Sequence, residues 1–487
     1  MNKRLIVYYL GRIMMLASLL FIVPLVVSLL YRDGCFFAIL LPAVGMFVTG
    51  LIGSRFKPKD RRSYAREGFV IVTAMWLLFS VFGALPFCLS GAIPAFVDAF
   101  FETVSGFTTT GSSILTNVEA MQPSLLFWRS LTHWVGGMGV LALAIAILPS
   151  AREEGSDGNA AVHILKAETP GPTFGKLVSK LRRNVRILYL IYAGMTVIEI
   201  ILLCLGGMPL FESIVHSFGT AGTGGFGIKN TSIGYYDSAY IDYVIGIFML
   251  LFGVNFNIYY FLLTGKLMKI LKSEELRWYL GIVAASVVGI TVNILPRYES
   301  AFRALRDAFF QVSSIITTTG YVTTDYELWP TFSKVILVLL MFVGACASST
   351  GGGLKISRVI ILIKTAFREI RQQINPREVR AIRCDNVSVP TAVAHGVTSY
   401  FAIYMLIMLA STLLVALDGC DFTTTFTSVV ACLNNIGPGL GMVGATGNYA
   451  HFSVFAKLIL SFDMLAGRLE LYPLLIALSP SIWKKNV

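Results

Sequence analysis

Ten apolar runs, each about 18 residues or longer, constrain this chain more than any other feature. They fall at roughly 5–31, 35–53, 68–90, 124–149, 187–206, 240–264, 278–295, 335–363, 389–417 and 451–479. A helix needs about 20 such residues to cross the hydrocarbon core of a bilayer. The pattern therefore predicts an all-α integral membrane protein with ten transmembrane helices. Hydrophobic residues make up 55% of the 487 positions and charged residues only 14%, more apolar surface than a soluble core could hide. The run inside Met1–Tyr31 is too long for a signal peptide and is expected to remain as the first span.

An even number of spans places both termini on one face. With those termini cytoplasmic, 27 of the 39 Lys and Arg lie in inner loops and tails and five in outer loops. That asymmetry is the positive-inside pattern. The net charge of +12 thus reads as orientation and attraction to anionic membrane lipid, not as nucleic-acid binding. Seven cysteines form no C-x-x-C pair, and the five histidines form no H-x-x-x-H pair. No nucleophile, base and metal cluster converges in the pattern, so an enzyme is not expected.

Between the third and fourth runs lies AFVDAFFETVSGFTTTGSS (Ala95–Ser113), a helix-like stretch too short to span, followed by polar glycine-ended backbone. The order of long span, short helix, polar segment and long span recurs three times. The later copies are PLFESIVHSFGTAGTGGFG (Pro209–Gly227), AFRALRDAFFQVSSIITTTGYVT (Ala301–Thr323) and DFTTTFTSVVACLNNIGPGLG (Asp421–Gly441). Each follows an outward span and precedes an inward one, so the copies are parallel repeats. The key glycines Gly111, Gly225, Gly320 and Gly437 are separated by 114, 95 and 117 positions. Non-helical backbone at membrane depth is tolerated only when buried in protein or lining a wet cavity. Four like-oriented segments meet that condition by surrounding one axis, where their carbonyls could replace the hydration shell of a cation. The first two spans stand outside the repeat.

At this point SGFTTTG (Ser105–Gly111), TGGF (Thr223–Phe226), ITTTGY (Ile316–Tyr321) and NNIGPGLG (Asn434–Gly441) resemble the Trk/Ktr/HKT superfamily of potassium transporters. The likeness is greatest to its TrkH-type membrane subunits, and WVGGMG (Trp134–Gly139), ASSTGGGLK (Ala347–Lys355) and DMLAGRLE (Asp463–Glu470) extend it across the chain. The resemblance implies four M1-P-M2 units in a pseudo-fourfold, potassium-channel-like arrangement. The expected organisation is a two-helix region over 1–66, unit 1 over 67–150, unit 2 with a preceding cytoplasmic loop over 151–277, unit 3 with a broken second helix and cytoplasmic loop over 278–388, and unit 4 over 389–487. The implied filter comprises Thr109, Thr110 and Gly111; Thr223, Gly224 and Gly225; Thr318, Thr319 and Gly320; and Asn435, Ile436 and Gly437. In the second unit Gly224 and Gly225 compete, and the Gly-aromatic pair shared with Gly320–Tyr321 favours Gly225. In the resemblance, glycine in all four units implies potassium as the transported ion. The resemblance also implies a bacterial inner-membrane homodimer and a cytosolic, TrkA-like ring of nucleotide-binding regulatory subunits. This chain itself carries no G-x-x-x-x-G-K-[ST] motif, and no organic cofactor is expected. The basic inner segments Ser150–Arg186 and Phe367–Ser388 would dock that ring.

Below the filter, GACASSTGGGLK (Gly344–Lys355) interrupts the eighth run, and three successive glycines cost about 1 kcal/mol each against helix continuation. A broken helix with an intramembrane gate is expected, formed by Ala347, Ser348, Ser349, Thr350, Gly351, Gly352 and Gly353. A tightly packed kink is the alternative. Lys355 is placed to anchor that loop or to approach the inner surface. Arg468, in the middle of the tenth run, would cost about 2.5–3.5 kcal/mol in lipid without water or a partner. On a continuous helix Glu470 and Asp463 are poorly placed to pair with it, which favours a wet pore over an ion pair with another span. Arg129, Lys334 and Lys457 begin second spans and either brace the outer mouth through carboxylates such as Glu102, Asp98 or Asp307 or snorkel to headgroups. A coupled symporter would need a membrane acid, for which Glu199, Asp463 and Glu470 are the main candidates.

Overall fold

A computed structural model describes residues 1–58, 65–139, 181–377, 381–385 and 387–480. The second half of the fourth run and most of the loop 150–186 lie outside the described residues, as do Lys59, Arg61, Arg62, Lys176, Lys180 and Arg380. The N-terminal region is α1 (Lys3–Ala17), a 3-10 turn and α2 (Ile22–Tyr31), then α3 (Phe36–Ser54). Glycines let α1 and α3 touch backbone to backbone: a Cβ on Gly11 would meet Gly50 O at 2.6 Å.

Unit 1 comprises α4 (Ala65–Leu89), the short α5 (Phe96–Phe107) and α6 (Pro123–Gly137). Unit 2 follows as α7 (Leu181–Leu205), short α8 (Leu210–Gly222), then α9 (Ala239–Phe252) and α10 (Phe256–Leu263), with α11 (Leu267–Leu271) beyond. Unit 3 contains α12 (Glu274–Ile294), short α13 (Ala301–Ile316), α14 (Thr331–Val343) and α15 (Ile356–Ile374), and ends in a two-stranded hairpin, β1 (Arg383–Cys384) with β2 (Val387–Ser388). Unit 4 is α16 (Thr391–Val415), short α17 (Phe422–Leu433), α18 (Val454–Arg468) and α19 (Tyr472–Leu478).

Among the described residues, six helices are long and apolar enough to cross a membrane, or seven if the bent pair α9–α10 is one span. Of the remaining predicted runs, the fourth holds α6 and continues outside the described residues, and the eighth and tenth coincide with interrupted helices. α14 and α15 are separated by the loop 344–355, and α18 and α19 by a break at Leu469–Leu471. Two breaks were not expected from sequence: a 91° bend between α9 and α10, and the one after Arg468, where Glu470 and Leu471 both take positive φ. Polar side chains are buried, including Thr109, Thr319, Asn434 and Asn435, while Leu30, Leu205 and Leu413 are each more than 70% exposed on the outside. A chain with polar groups within and an apolar belt without is a multi-pass membrane protein.

Candidate functional site

Each short helix ends in the same way. The residue after its last turn takes a left-handed conformation: Thr109 (φ 55°), Thr223 (55°), Thr318 (59°) and Asn435 (56°). Two residues on, Gly111 (83°), Gly225 (74°), Gly320 (84°) and Gly437 (94°) are left-handed again. The hydrogen bonds repeat as well. Thr110, Gly224, Thr319 and Ile436 donate N–H to Ser105, Gly219, Ser314 and Ala431 O at 2.8–2.9 Å, the six-to-one bond of a Schellman motif. Such ends normally use glycine. A β-branched residue there is an outlier worth about 1–2 kcal/mol, so three threonines in one strained conformation mark a backbone held for a purpose. The register also places Gly225, rather than Gly224, level with the other three glycines.

The four tripeptides form a closed ring. A Cβ on Gly111 would strike Gly224 O; on Gly225, Thr319 O; on Gly320, Ile436 O; and on Gly437, Thr110 O at 2.7 Å. Unit 1 thus touches unit 2, unit 2 touches unit 3, unit 3 touches unit 4, and unit 4 returns to unit 1. Side chains brace the ring from behind. Thr108 and Thr110 hydroxyls pair at 2.8 Å, as do those of Thr317 and Thr319. Asn435 Nδ2 donates to Thr110 Oγ1 (3.0 Å) and Met464 O (2.9 Å). Tyr321 OH donates to His216 O at 2.9 Å, tying unit 3 to unit 2.

Directly against the ring lies the loop between α14 and α15. Gly352 N donates to Thr318 Oγ1 at 2.6 Å, and a Cβ on Gly351 would meet Thr317 O at 2.9 Å. Ser349 Oγ donates to Cys346 O, and Lys355, buried, donates its ammonium to Gly351 O. Of the two roles open to Lys355, the loop anchor is the one the geometry displays. Arg468 ends α18 and donates to three carbonyls: Thr350 O in the loop (2.7 Å), Gly136 O (2.5 Å) and Gly137 O (2.7 Å) in α6. Backbone oxygens from units 1 and 3 therefore surround a guanidinium from unit 4. Glu470, past the helix break, pairs instead with Arg358, whose guanidinium also lies 4.1 Å from the Tyr400 ring centroid. The continuous helix assumed for that comparison does not exist.

Beside the ring, Arg129 Nε meets Glu102 at 2.6 Å, its Nη1 donates to Gly227 O at 2.9 Å, and its guanidinium covers the Phe226 ring. Lys457 pairs with Asp98 at 2.7 Å. Lys334 pairs with Glu327 at 3.4 Å, seven positions away on the turn leading into α14. Asp307 accepts instead from Tyr298 OH at 2.9 Å. Glu102 also accepts from Ile114 N at 3.0 Å, just past Gly111, and Glu327 accepts from Gly441 N at 2.6 Å, so these carboxylates tie spans to the strands that follow the ring glycines. Sequence reading missed Glu275, which accepts from Ala347 N of the loop at 2.7 Å, and Asn255, which donates to Glu275 at 3.4 Å. Asn255, the N-cap of α10, was legible in principle as an Asn opening an apolar helix after glycine.

The comparisons with known proteins give the family and the overall fold. The family model for TrkH, described as a cation transport protein, matches residues 43–485. The chain is 38% identical over 494 residues to the Trk system potassium uptake protein TrkH of Salmonella typhimurium, with 100% of each covered. It is 37% identical to the protein of that name from Escherichia coli strain K12, again over 100% of both. The crystal structure of the potassium transporter TrkH from Vibrio parahaemolyticus matches with a TM-score of 0.88 and 31% identity, over 99% of this chain and 100% of that one. The chain belongs to the TrkH family of cation transport proteins.

Proposed function

We propose that this protein takes up potassium across the bacterial inner membrane through a channel-like pore whose selectivity filter is the ring of four tripeptides. The observation that carries the reading is the fourfold repetition of one strained backbone, closed upon itself. Alternating left-handed residues aim successive carbonyls toward one side of a strand, and four such strands present enough oxygens to replace a hydration shell. The short helices bring their partially negative C-terminal ends to the same place. The names of the relatives, all potassium uptake proteins, supply the ion.

In this reading ten spans cross the membrane with both termini cytoplasmic. The loop Ala347–Gly353 is the gate beneath the filter, and Arg468 sits under it as a positive barrier that restricts permeation. The functional assembly is a homodimer with a cytosolic ring of nucleotide-binding regulatory subunits, docked on the basic cytoplasmic segments. Symport coupled to protons or sodium is the second reading. Glu199, fully buried in α7 behind the filter of unit 2, and Asp463, held by Ser411 at 2.7 Å, are the acids it would use. Planar-bilayer recording of the purified chain separates the two. Currents that reverse at the potassium equilibrium potential, whatever the pH and sodium concentration, are expected. A reversal potential that follows the proton or sodium gradient would replace the pore with a symporter.

A further inference from the structure

The loop beneath the filter is held from below by residues of two other elements. Three bonds come from the bend between α9 and α10. Cys346 N donates to Gly253 O (3.0 Å), Phe256 N to Ser348 O (3.1 Å), and Thr350 Oγ1 to Phe252 O (3.2 Å). The 91° bend is what frees these backbone groups: Gly253 O has lost its helical acceptor role, and Phe256 N–H opens a new helix with no partner in its own preceding turn. A fourth bond is of a different kind. Ala347 N donates to Glu275 Oε1 at 2.7 Å, and the other carboxylate oxygen accepts from Asn255 Nδ2 at 3.4 Å. Glu275 is thus a side-chain acceptor joining the loop, the bend and α12.

The same turn of α12 is tied to the cytoplasmic hairpin. Asp385, in the turn between β1 and β2, accepts from Glu274 N at 2.6 Å. Lys364 of α15 pairs with Glu274 at 2.5 Å and donates to Arg383 O at 2.7 Å. Glu274 and Glu275 are adjacent, one gripped by the hairpin and the other gripping the loop. A displacement of the hairpin acts on the first turn of α12 and therefore on the carboxylate that holds Ala347.

We propose that Glu275 is the latch of the intramembrane loop and that the hairpin Arg383–Ser388 is the handle by which a cytoplasmic partner works it. The inference rests on the reading of Ala347–Gly353 as the gate. Glu275 is a positioning residue: it touches no ion and acts through the Ala347 amide.

The test uses the purified full-length chain in proteoliposomes without a partner, with potassium flux and backbone amide exchange over 344–355 as readouts. Glu275→Ala removes the acceptor and is expected to raise basal flux about two- to threefold, less than deletion of the whole loop, as loss of one hydrogen bond implies. Amide exchange over the loop should accelerate while the potassium-to-sodium preference stays as in the parent. Glu275→Gln keeps an acceptor oxygen and should recover most of the protection. Asp385→Ala should accelerate exchange at the start of α12 and raise flux less. Parent-like exchange and flux in Glu275→Ala would overturn the latch, as would a Gln variant as leaky as the Ala variant. Deleting Ala347–Gly353 distinguishes the failures. If the deletion raises flux and Glu275→Ala does not, the latch alone is wrong; if the deletion leaves flux unchanged, the gate reading itself falls.

Discussion

At the outer half of the molecule, Thr109, Thr223, Thr318 and Asn435 repeat one backbone angle within 55–59°. At the inner half, the described second helices of units 2, 3 and 4 each depart from a straight span differently. Unit 2 bends by 91° at Gly253–Asn255, unit 3 opens into the loop 344–355, and unit 4 breaks after Arg468. The difference teaches where symmetry is needed. In the proposed reading, a ring of oxygens around one ion requires four like geometries, which accounts for a repeat kept there despite strain. In the same reading a gate requires one element able to move against the others, and divergence would supply it. The three inner breaks also interlock, since the bend of unit 2 and Arg468 of unit 4 both hold the loop of unit 3.

The largest effect should come from breaking the symmetric half. Gly111→Ser places a Cβ against Gly224 O at a φ of +83°, a conformation costing an L residue about 1–2 kcal/mol. The potassium-to-sodium permeability ratio should fall about 5- to 30-fold, the range that energy corresponds to. Gly320→Ser and Gly437→Ser should behave alike, because they occupy equivalent ring positions. Bi-ionic reversal potentials measure all three, and unchanged selectivity in any one would remove that unit from the filter.

Next in size is deletion of Ala347–Gly353, which should raise basal flux severalfold with the permeability ratio intact. A ratio that drops with the loop would mean that Gly352 and Thr318 act as one structure and the two halves are not separable. Arg468→Ala should raise single-channel conductance by less, since it removes a charge and frees the carbonyls of Thr350, Gly136 and Gly137 without opening the loop itself. Conductance at or below that of the parent would show Arg468 to be a strut rather than a barrier.

The smallest effect is a control outside both regions. Asp421 caps α17, accepting from Thr424 N at 3.1 Å and from the Thr424 hydroxyl. The Thr424 hydroxyl, then its N–H, hold the Asp421 carboxyl below its ordinary value of 3.8. Its contribution is therefore complete above pH about 4 and is lost only as the pH falls through the lowered folded value. Asp421→Ala should cost about 1 kcal/mol at neutral pH, read as thermal unfolding in detergent, and leave selectivity untouched. A selectivity change there would extend the symmetric region to the far ends of the short helices.

Much of the outer half was legible because its chemistry is local. A short amphipathic helix followed by a Thr- or Asn-containing, glycine-ended segment is visible within twenty residues, and its fourfold recurrence needs no structure. The interruption at Gly344–Lys355 was legible too, through three adjacent glycines. The break after Arg468 was not, and the bend at Gly253 offered only Asn255 as a cap signal. Val254 and Leu471 sit in apolar runs that read as continuous, yet Leu471 takes positive φ with its N–H donating back to Ala466 O at 2.9 Å. The partner of Glu470 was missed for the same reason, since a face drawn on a continuous helix points elsewhere. Glu275 was invisible because its acceptor role depends on Ala347, 72 positions away.

The central claim is that four tripeptides of one chain dehydrate the same potassium ion, and anomalous diffraction from crystals grown with thallium(I), a heavy surrogate for potassium, tests it most directly. Anomalous peaks on the axis enclosed by Thr109–Gly111, Thr223–Gly225, Thr318–Gly320 and Asn435–Gly437 are predicted. Thallium bound elsewhere in the protein, with that axis empty, would contradict the account.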